Sequence, residues 1–250
     1  MILRVENLSK AFFGLTVLDR ISFEVPEGEL LSIIGPNGSG KTTLFNVITG
    51  FLSSDGGKVI FDGQDITDRP AHQIALRGLS RTFQDVRLFG SLSVQDNLLL
   101  ALQQHQEEHL LRRFLGTRSI IRDEQVAHER ARDLIALIGL ERYTDFPAGQ
   151  LSYGQRKLLQ FALAVIPDPR LLLLDEPAAA VNPTMINSIK ERILEFNRRG
   201  KTVVLIEHNM DVVMDISHRV LVMDYGELIA EGTPGEVRRN PKVIEAYFGH

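Results

Sequence analysis

The stretch Gly35-Pro36-Asn37-Gly38-Ser39-Gly40-Lys41-Thr42 constrains this chain more than any other. A glycine, four residues, then Gly-Lys-Thr is the pattern of a phosphate-binding loop. Its glycines let the backbone turn tightly and come close to a ligand, at φ values that other residues avoid. The N–H groups of Asn37 to Lys41 are then able to point inward around phosphate oxygens. Lys41 is placed to reach the outer phosphates of a nucleotide, and the Thr42 hydroxyl to ligate Mg2+, which takes few protein ligands. A helix starting near Lys41 adds its positive end. A flexible glycine-rich turn would fit the same pattern, so the flanks decide. Leu30-Leu31-Ser32-Ile33-Ile34 predicts a short buried strand, and Thr43 to Thr49, stopped by Gly50, predicts the helix that leaves the loop.

The 250 residues suit one large domain, or one domain carrying an inserted lobe. With 44% hydrophobic and 24% charged residues, the chain can bury a sizeable core. A net charge of -4 offers neither a nucleic-acid footprint nor a basic membrane-binding face, so no nucleic-acid partner is expected. There is no cysteine, which excludes disulfides, thiol catalysis and zinc–thiolate sites. No basic, apolar leader opens the chain, so a cytoplasmic location is expected. Apolar runs such as Leu171 to Leu174 fall far short of the about 20 residues of a spanning helix. Any service to a membrane would go through a partner.

Ile2 to Asn7 and, more clearly, Val17 to Val25 alternate as strands, and Pro26 to Glu29 reads as a turn. They predict a small antiparallel sheet beside the phosphate-binding core. Phe12 and Phe13 fall between them; either is able to stack on a base, although spacing alone favours packing under the sheet. Asp55-Gly56-Gly57 reads as a turn and Lys58 to Asp62 as a strand. Asp68 to Arg77 predicts a short helix capped by Asp68, with Pro70 in its first turn. Leu79 to Phe83 predicts a strand ending on Gln84.

From Arg87 to Gln160 the pattern turns helical, in Val94 to Gln103 and in Asp123 to Ile138. In the second, Val126, Ala127, Ala131, Leu134, Ile135 and Ile138 share a stripe with Arg130 as its polar exception. With no strand evident, an inserted helical lobe is expected. Its stretch Glu107 to Arg118 reads as solvated, with an amphipathic docking surface as the alternative. His105 and His109 are one turn apart but lack a third metal ligand. Strands then return at Leu171 to Leu174, Thr202 to Ile206, Val220 to Asp224 and Leu228 to Glu231. Helices are expected over Pro183 to Arg199, Asn209 to Ile216 and, as two short pieces, Pro234 to Phe248. Strands buried on both faces and joined by helices imply a mainly parallel α/β sheet.

The apolar run at 171–174 ends in Asp175-Glu176. Ligands of open parallel sheets bind off the carboxyl ends of strands, where the phosphate loop also sits. There Asp175 would hold a Mg2+-bound water, and Glu176 would orient or deprotonate an attacking water. A strand end with two solvated acids is the plain alternative, which the phosphate loop disfavours. Leu151-Ser152-Tyr153-Gly154-Gln155 precedes an apolar helix. Ser152 suits its N-cap, and Gly154 lets a phosphate approach. A second anion site makes sense if it serves the ATP of a partner subunit.

In this order and spacing the parts resemble the ATP-binding subunits of ABC transporters over nearly the whole chain. Gly35 to Thr42 resembles the Walker A loop, Leu171 to Glu176 Walker B with its catalytic glutamate, and Leu151 to Gln155 the signature motif. Gln84 resembles the Q-loop glutamine and His208 the switch histidine. Phe12 resembles the base-stacking aromatic, which reverses the preference for packing. The resemblance implies an α/β fold: a P-loop (RecA-like) ABC ATPase core with a mainly parallel sheet, a small antiparallel β subdomain and an inserted helical subdomain. Residues 1–86 and 161–250 would form the core of a single ABC ATPase domain, and 87–160 its helical subdomain.

The same resemblance implies an ATP hydrolase using ATP and Mg2+. Gly35, Pro36, Asn37, Gly38, Ser39, Gly40, Lys41, Thr42 and Thr43 would bind phosphates, and Ser152, Gly154 and Gln155 the partner's nucleotide. Thr42, Gln84 and Asp175 would serve the metal; Glu176, His208, Lys41 and Gln84 would serve catalysis. Two such subunits, a second copy or a related chain, would pack head to tail around two ATPs. The helical subdomain would grip an integral membrane permease, on the cytoplasmic face of the inner membrane, and indirectly serve a solute-binding protein.

Arg81-Thr82-Phe83-Gln84, the variant signature, and the tail Glu231 to Pro234 with Glu245 to Gly249 resemble the group that energises uptake of branched-chain or other hydrophobic amino acids. Asn182 departs from the aspartate that many ABC ATPases carry in the loop crossing the dimer interface. Ala178 to Ala180 replace a glycine, and Phe13 stands where this group often has glycine. The competing expectations are a lipid or polysaccharide exporter ATPase and a soluble ABC ATPase of the cofactor-assembly type.

Overall fold

The structure, a computed structural model, describes residues 1–103 and 118–248. Strands β1 (Leu3–Phe12), β2 (Leu15–Val25), β4 (Gly56–Phe61) and β5 (Gln64–Asp65) form an antiparallel sheet in the order β2-β1-β4-β5. Strands β3 (Leu30–Ile34), β6 (Leu79–Arg81), β7 (Leu171–Asp175), β8 (Thr202–Ile206), β9 (Arg219–Asp224) and β10 (Glu227–Gly232) form a second sheet, ordered β10-β9-β3-β8-β7-β6. Every pairing in the second sheet is parallel except β10 on β9. The helices are α1 (Lys41–Ile48), α2 (Ala71–Leu76), α3 (Val94–Gln103), α4 (Arg118–Leu137), α5 (Tyr153–Val165), α6 (Pro183–Arg198), α7 (Met210–Ile216), α8 (Pro234–Val237) and α9 (Pro241–Phe248).

The larger sheet is a wall between two cores. Leu172, Leu174, Val203 and Leu205 face helices and pack with Leu159, Phe161, Ile189 and Ile193. Their neighbours in sequence, Leu171, Leu173, Val204 and Ile206, face the antiparallel sheet and α1, with Leu8, Phe23, Phe45 and Val59. Alternate side chains of a strand point to opposite faces, so a strand covered on both sides must be apolar throughout. That is why these strands read as unbroken runs. Each such side chain contributes about 1.5–3 kcal/mol on burial. Among the described residues no helix is long and apolar enough to cross a membrane.

Several elements differ from expectation for local reasons. β1 runs on to Phe12 rather than stopping at Asn7, because register shifts after Val5, Leu8 and Lys10 break its alternation. Gly56 and Gly57 belong to β4, where Gly56 pairs with Ser9. Asp68 is not a helix cap: its carboxylate accepts from the Ser54 N–H at 2.7 Å, and α2 starts at Ala71 with Pro70 in the cap position. β6 ends at Arg81. Val126 lies exposed, while Ala131, Leu134, Ile135 and Ile138 of the same stripe are buried. Helix α5 runs through residue 160. The pair His105 and His109, and the stretch from Glu107 as far as residue 117, lie outside the described residues.

Candidate active site

Four neighbouring parallel strands, β3, β8, β7 and β6, deliver the expected site residues to one edge. The chain leaving them carries, in that order, Gly35 to Thr42, His208, Glu176 and Gln84. Their ends are level, since Ile206 pairs with both Ile33 and Asp175. The Glu176 N–H donates to Ile206 O at 2.9 Å, which carries the ladder one residue past β7. Glu176 itself sits at φ 49, a left-handed conformation costing a non-glycine residue about 1 kcal/mol. That turn aims its carboxylate between two neighbours. Gln84 Nε2 donates to Oε2 at 3.1 Å, and His208 Nε2 meets Oε1 at 2.8 Å. A carboxylate only accepts, so the pair assigns the proton to His208 Nε2.

The loop between β3 and α1 is built for close approach. Gly35 lies at φ 156, and a Cβ there would meet Met223 O at 2.1 Å; at Gly40, φ 100, it would meet Val17 O at 2.6 Å. Gly40 caps α1 with no side-chain bond, and the N–H groups of Lys41, Thr42 and Thr43 have no partner within the helix. These donors and the helix dipole form an anion cradle. Lys41 Nζ donates to Gly35 O at 2.9 Å, Pro36 O at 2.8 Å and Ser39 Oγ at 3.2 Å. Burial pulls the Lys41 ammonium down from the usual lysine range, and the nearby Glu176 and Asp175 carboxylates push it back up. Asn37 and Gly38 are exposed at the loop's tip, and Thr42 is exposed at the helix start.

Asp175 is buried behind this edge in an ion pair with Arg81 Nη2 at 2.9 Å. Arg81 also donates from Nη1 to Asn46 Oδ1 at 2.7 Å and Thr49 Oγ1 at 3.1 Å, and lies over the Phe45 and Phe83 rings. Burial pushes the Asp175 carboxyl up and the Arg81 guanidinium down, each toward its neutral form, and their pairing opposes both. Removing one member of a buried pair strands the other. Arg81→Ala is therefore expected to cost about 3–5 kcal/mol, read as a lower urea midpoint. A loss below about 1 kcal/mol would mean that Asp175 does not depend on this partner.

Helix α5 holds the Gln84 segment from the other side. Lys157 Nζ donates to Gln84 O at 3.0 Å, and Gln160 Nε2 donates to Phe83 O at 2.7 Å and Asp85 O at 3.2 Å. Sequence patterning singles out neither residue; the available sign is two polar side chains three positions apart in an apolar helix. It marks Arg81 only as part of a motif, and it passes over Glu207, buried after β8. At the start of α5, Ser152 Oγ accepts from the Gln155 N–H, and Gln155 Oε1 accepts from the Ser152 N–H. Among the described residues no hydrogen bond joins Ser152, Gly154 or Gln155 to the phosphate loop of the same chain.

Phe12 ends β1 at 37% exposure with Lys10 Nζ 5.5 Å from its ring. Phe13 and Gly14, at φ 51 and 85, form the two-residue turn to β2, where positive φ at both positions favours glycine. Asn182 caps α6 by accepting from the Met185 N–H at 2.9 Å.

Residues 18–179 match the ABC transporter family model, and residues 227–250 match that of the branched-chain amino acid ATP-binding cassette transporter. The chain belongs to the ABC transporter family. This ABC protein is 41% identical to BraF of Pseudomonas aeruginosa, a high-affinity branched-chain amino acid transport ATP-binding protein, over 99% of this chain and 98% of that one. LivG of Escherichia coli, of the same description, is also 41% identical over the same shares. Among solved structures, the ADP conformation of the ABC transporter cassette MJ1267 has a TM-score of 0.86 at 37% identity, covering 100% of this chain and 99% of that one. A dimeric, post-hydrolysis state of the cassette MJ0796 with ADP and phosphate has a TM-score of 0.79 at 26% identity, covering 93% and 99%. As an ABC ATPase the chain binds nucleotide and hydrolyses ATP.

Proposed function

We propose that this ATPase energises a membrane importer for branched-chain or other hydrophobic amino acids, as one of a head-to-tail pair. The observation that carries the hydrolytic site is Glu176, with Gln84 and His208 on its two carboxylate oxygens at 3.1 and 2.8 Å. The cargo reading is supported by the match of residues 227–250 and by relatives such as BraF and LivG.

In this reading Gly35 to Thr43 wrap the phosphates of ATP, with Lys41 offsetting their charge, and Phe12 stacks on the base. Glu176 orients and deprotonates the attacking water, while Gln84 and His208 fix its carboxylate and His208 reaches the outer phosphate. Catalysis is then positioning plus preorganised charge. Thr42, Gln84 and Asp175 would serve Mg2+. Among the described residues no group of three His, Cys, Asp or Glu side chains could hold a metal by itself. The exposed Thr42 hydroxyl and the Gln84 amide oxygen, with Asp175 behind them on Arg81 and placed to hold a bound water, fit a cation that takes most of its ligands from phosphate and water. When bound, it supplies neutralisation of phosphate charge.

Ser152 and Gln155 bond each other at the start of α5, and among the described residues no hydrogen bond takes them or Gly154 to their own loop, so all three are assigned to the nucleotide of the partner subunit. The partner is a related chain or a second copy. The helical lobe between Gln84 and the segment at Leu151 to Gln155 would grip a permease, with α5 running from it back into the ATPase core, at the cytoplasmic face of the membrane. Affinity purification from membranes should bring down integral membrane proteins, and cells lacking the chain should lose uptake of radiolabelled leucine. Failure to capture any membrane protein would favour the soluble, cofactor-assembly class. Intact leucine uptake with impaired lipid or polysaccharide export would favour the exporter class.

A further inference from the structure

Glu207 follows β8 and is 2% exposed. Among the described residues it has no cationic partner; its carboxylate is held by backbone amides alone. Oε1 accepts from the Ala178 N–H at 2.7 Å. Oε2 accepts from the His208 N–H at 3.0 Å and the Asn209 N–H at 3.1 Å. One oxygen therefore holds the segment two residues after Glu176, and the other holds the segment that presents His208.

We propose that Glu207 is a positioning residue that ties the loop after Glu176 to the loop carrying His208, and so sets the approach of His208 to Glu176. The inference rests on the assignment of Glu176 and His208 to the hydrolytic site. Packing alone gives no reason for an acid here, since burying a carboxylate without a cation is costly. The amides give one. A carboxylate accepts at both oxygens and donates at neither, so it serves donors on two loops at once, with bonds about twice as strong as neutral ones. A glutamine of equal size offers an acceptor to one loop and a donor to the other, where the loop also presents a donor.

The surroundings need such a tie. Glu176 and Ala180 both hold positive φ, so the loop between them is tightly turned. Its far end is fixed where Asn182 caps α6. On the other side, Asn209 caps α7 by accepting from the Asp211 and Val212 N–H groups at 3.1 and 3.3 Å. His208 thus lies between two anchored residues, and only the Glu207 carboxylate bonds both its amide and that of Ala178. A shift of the 176–182 loop, which crosses to the partner in the proposed pair, would be passed to the His208 backbone through this side chain, in addition to the direct contact of Glu176 with the His208 ring.

The test is Glu207→Gln, alone and combined with His208→Ala, with kcat, KM for ATP, nucleotide affinity and melting temperature measured on each purified full-length variant. Glu207→Gln is expected to lower kcat about tenfold to a hundredfold, the scale of a misplacement near 1 Å, with KM and affinity within about twofold. In the His208→Ala background the same substitution should change kcat less than about twofold, because nothing is left to position. Unchanged kcat, a loss carried by KM, or full multiplication of the two losses would overturn the proposal. If His208→Ala alone leaves kcat intact, the site assignment fails instead. Should Glu207→Gln not fold, Glu207→Asp, which keeps the charge one methylene short of both loops, is read by the same cycle with the same outcomes.

Discussion

Glu176→Gln is expected to bind ATP as the parent does, hydrolyse it about a hundred- to ten-thousandfold more slowly, and accumulate as a nucleotide-bound dimer. The substitution keeps the volume of the side chain and leaves the Glu176 N–H bond to Ile206 O in place. What changes is the carboxylate. It loses the basicity needed to take a proton from water, and one of its two acceptors becomes a donor. Gln84 Nε2 and His208 Nε2, which both donate to it, cannot both be satisfied by an amide. The ATP-bound pair then has no route to products, and opposed loops and signature segments stay engaged. Phosphate release measures the first effect and size-exclusion chromatography with ATP the second. Turnover within about tenfold of the parent would remove Glu176 from the role of base.

The fold is legible in the sequence where one physical requirement dominates. β3, β7 and β8 lie between two cores that favour apolar residues on both faces, so each appears in sequence as a largely apolar run with sharp ends. The polar residue inside β3, Ser32, is buried with its hydroxyl bonded to that of Ser217 at 2.6 Å. The far half of β1 is hidden because its pairing depends on bulges, which interrupt a period of two without any local residue type that announces them. Asp68 misleads for a related reason. An aspartate before a proline-led helix is a good cap, but here a distant partner, Ser54, takes its carboxylate. Local preference loses to a tertiary hydrogen bond.

The site is legible through residues whose chemistry is scarce in an ordinary core. Gly35, Gly40 and Lys41 are forced by backbone approach and by charge, and Asp175-Glu176 stand out against the leucines before them. The supporting residues are not legible, because each acts through a backbone group that has no residue identity. Lys157 and Gln160 bond carbonyls of residues 83–85, and Glu207 bonds amides of 178, 208 and 209. Arg81 is the intermediate case. Its partner Asp175 is visible in sequence, but 94 residues separate them, and only the parallel pairing of β6 with β7 brings them together.

Lys41→Met should separate binding from chemistry in the opposite sense to Glu176→Gln. Methionine keeps an unbranched apolar stem but removes the ammonium. In the parent, that ammonium bonds Gly35 O, Pro36 O and Ser39 Oγ, and the residue is 5% exposed. Two effects then combine. The loop loses the donor that gathers its own carbonyls, so it is less preorganised. The phosphates lose a buried positive charge close to Glu176 and Asp175, whose fields otherwise oppose a polyanion. Loss of one preorganised donor of this kind lowers kcat by about a hundred- to a thousandfold, and here affinity should fall as well. Fluorescent-nucleotide titration should give a dissociation constant raised at least about tenfold, a shift of roughly 1.4 kcal/mol in binding free energy. The melting temperature should fall modestly, since Gly35 O, Pro36 O and Ser39 Oγ lose their donor, while α1 and its buried Leu44, Phe45, Val47 and Ile48 are untouched. If Lys41→Met instead binds nucleotide as tightly as Glu176→Gln and forms the same dimer, the cradle is carried by backbone amides alone, and the charge of Lys41 contributes to neither binding nor assembly.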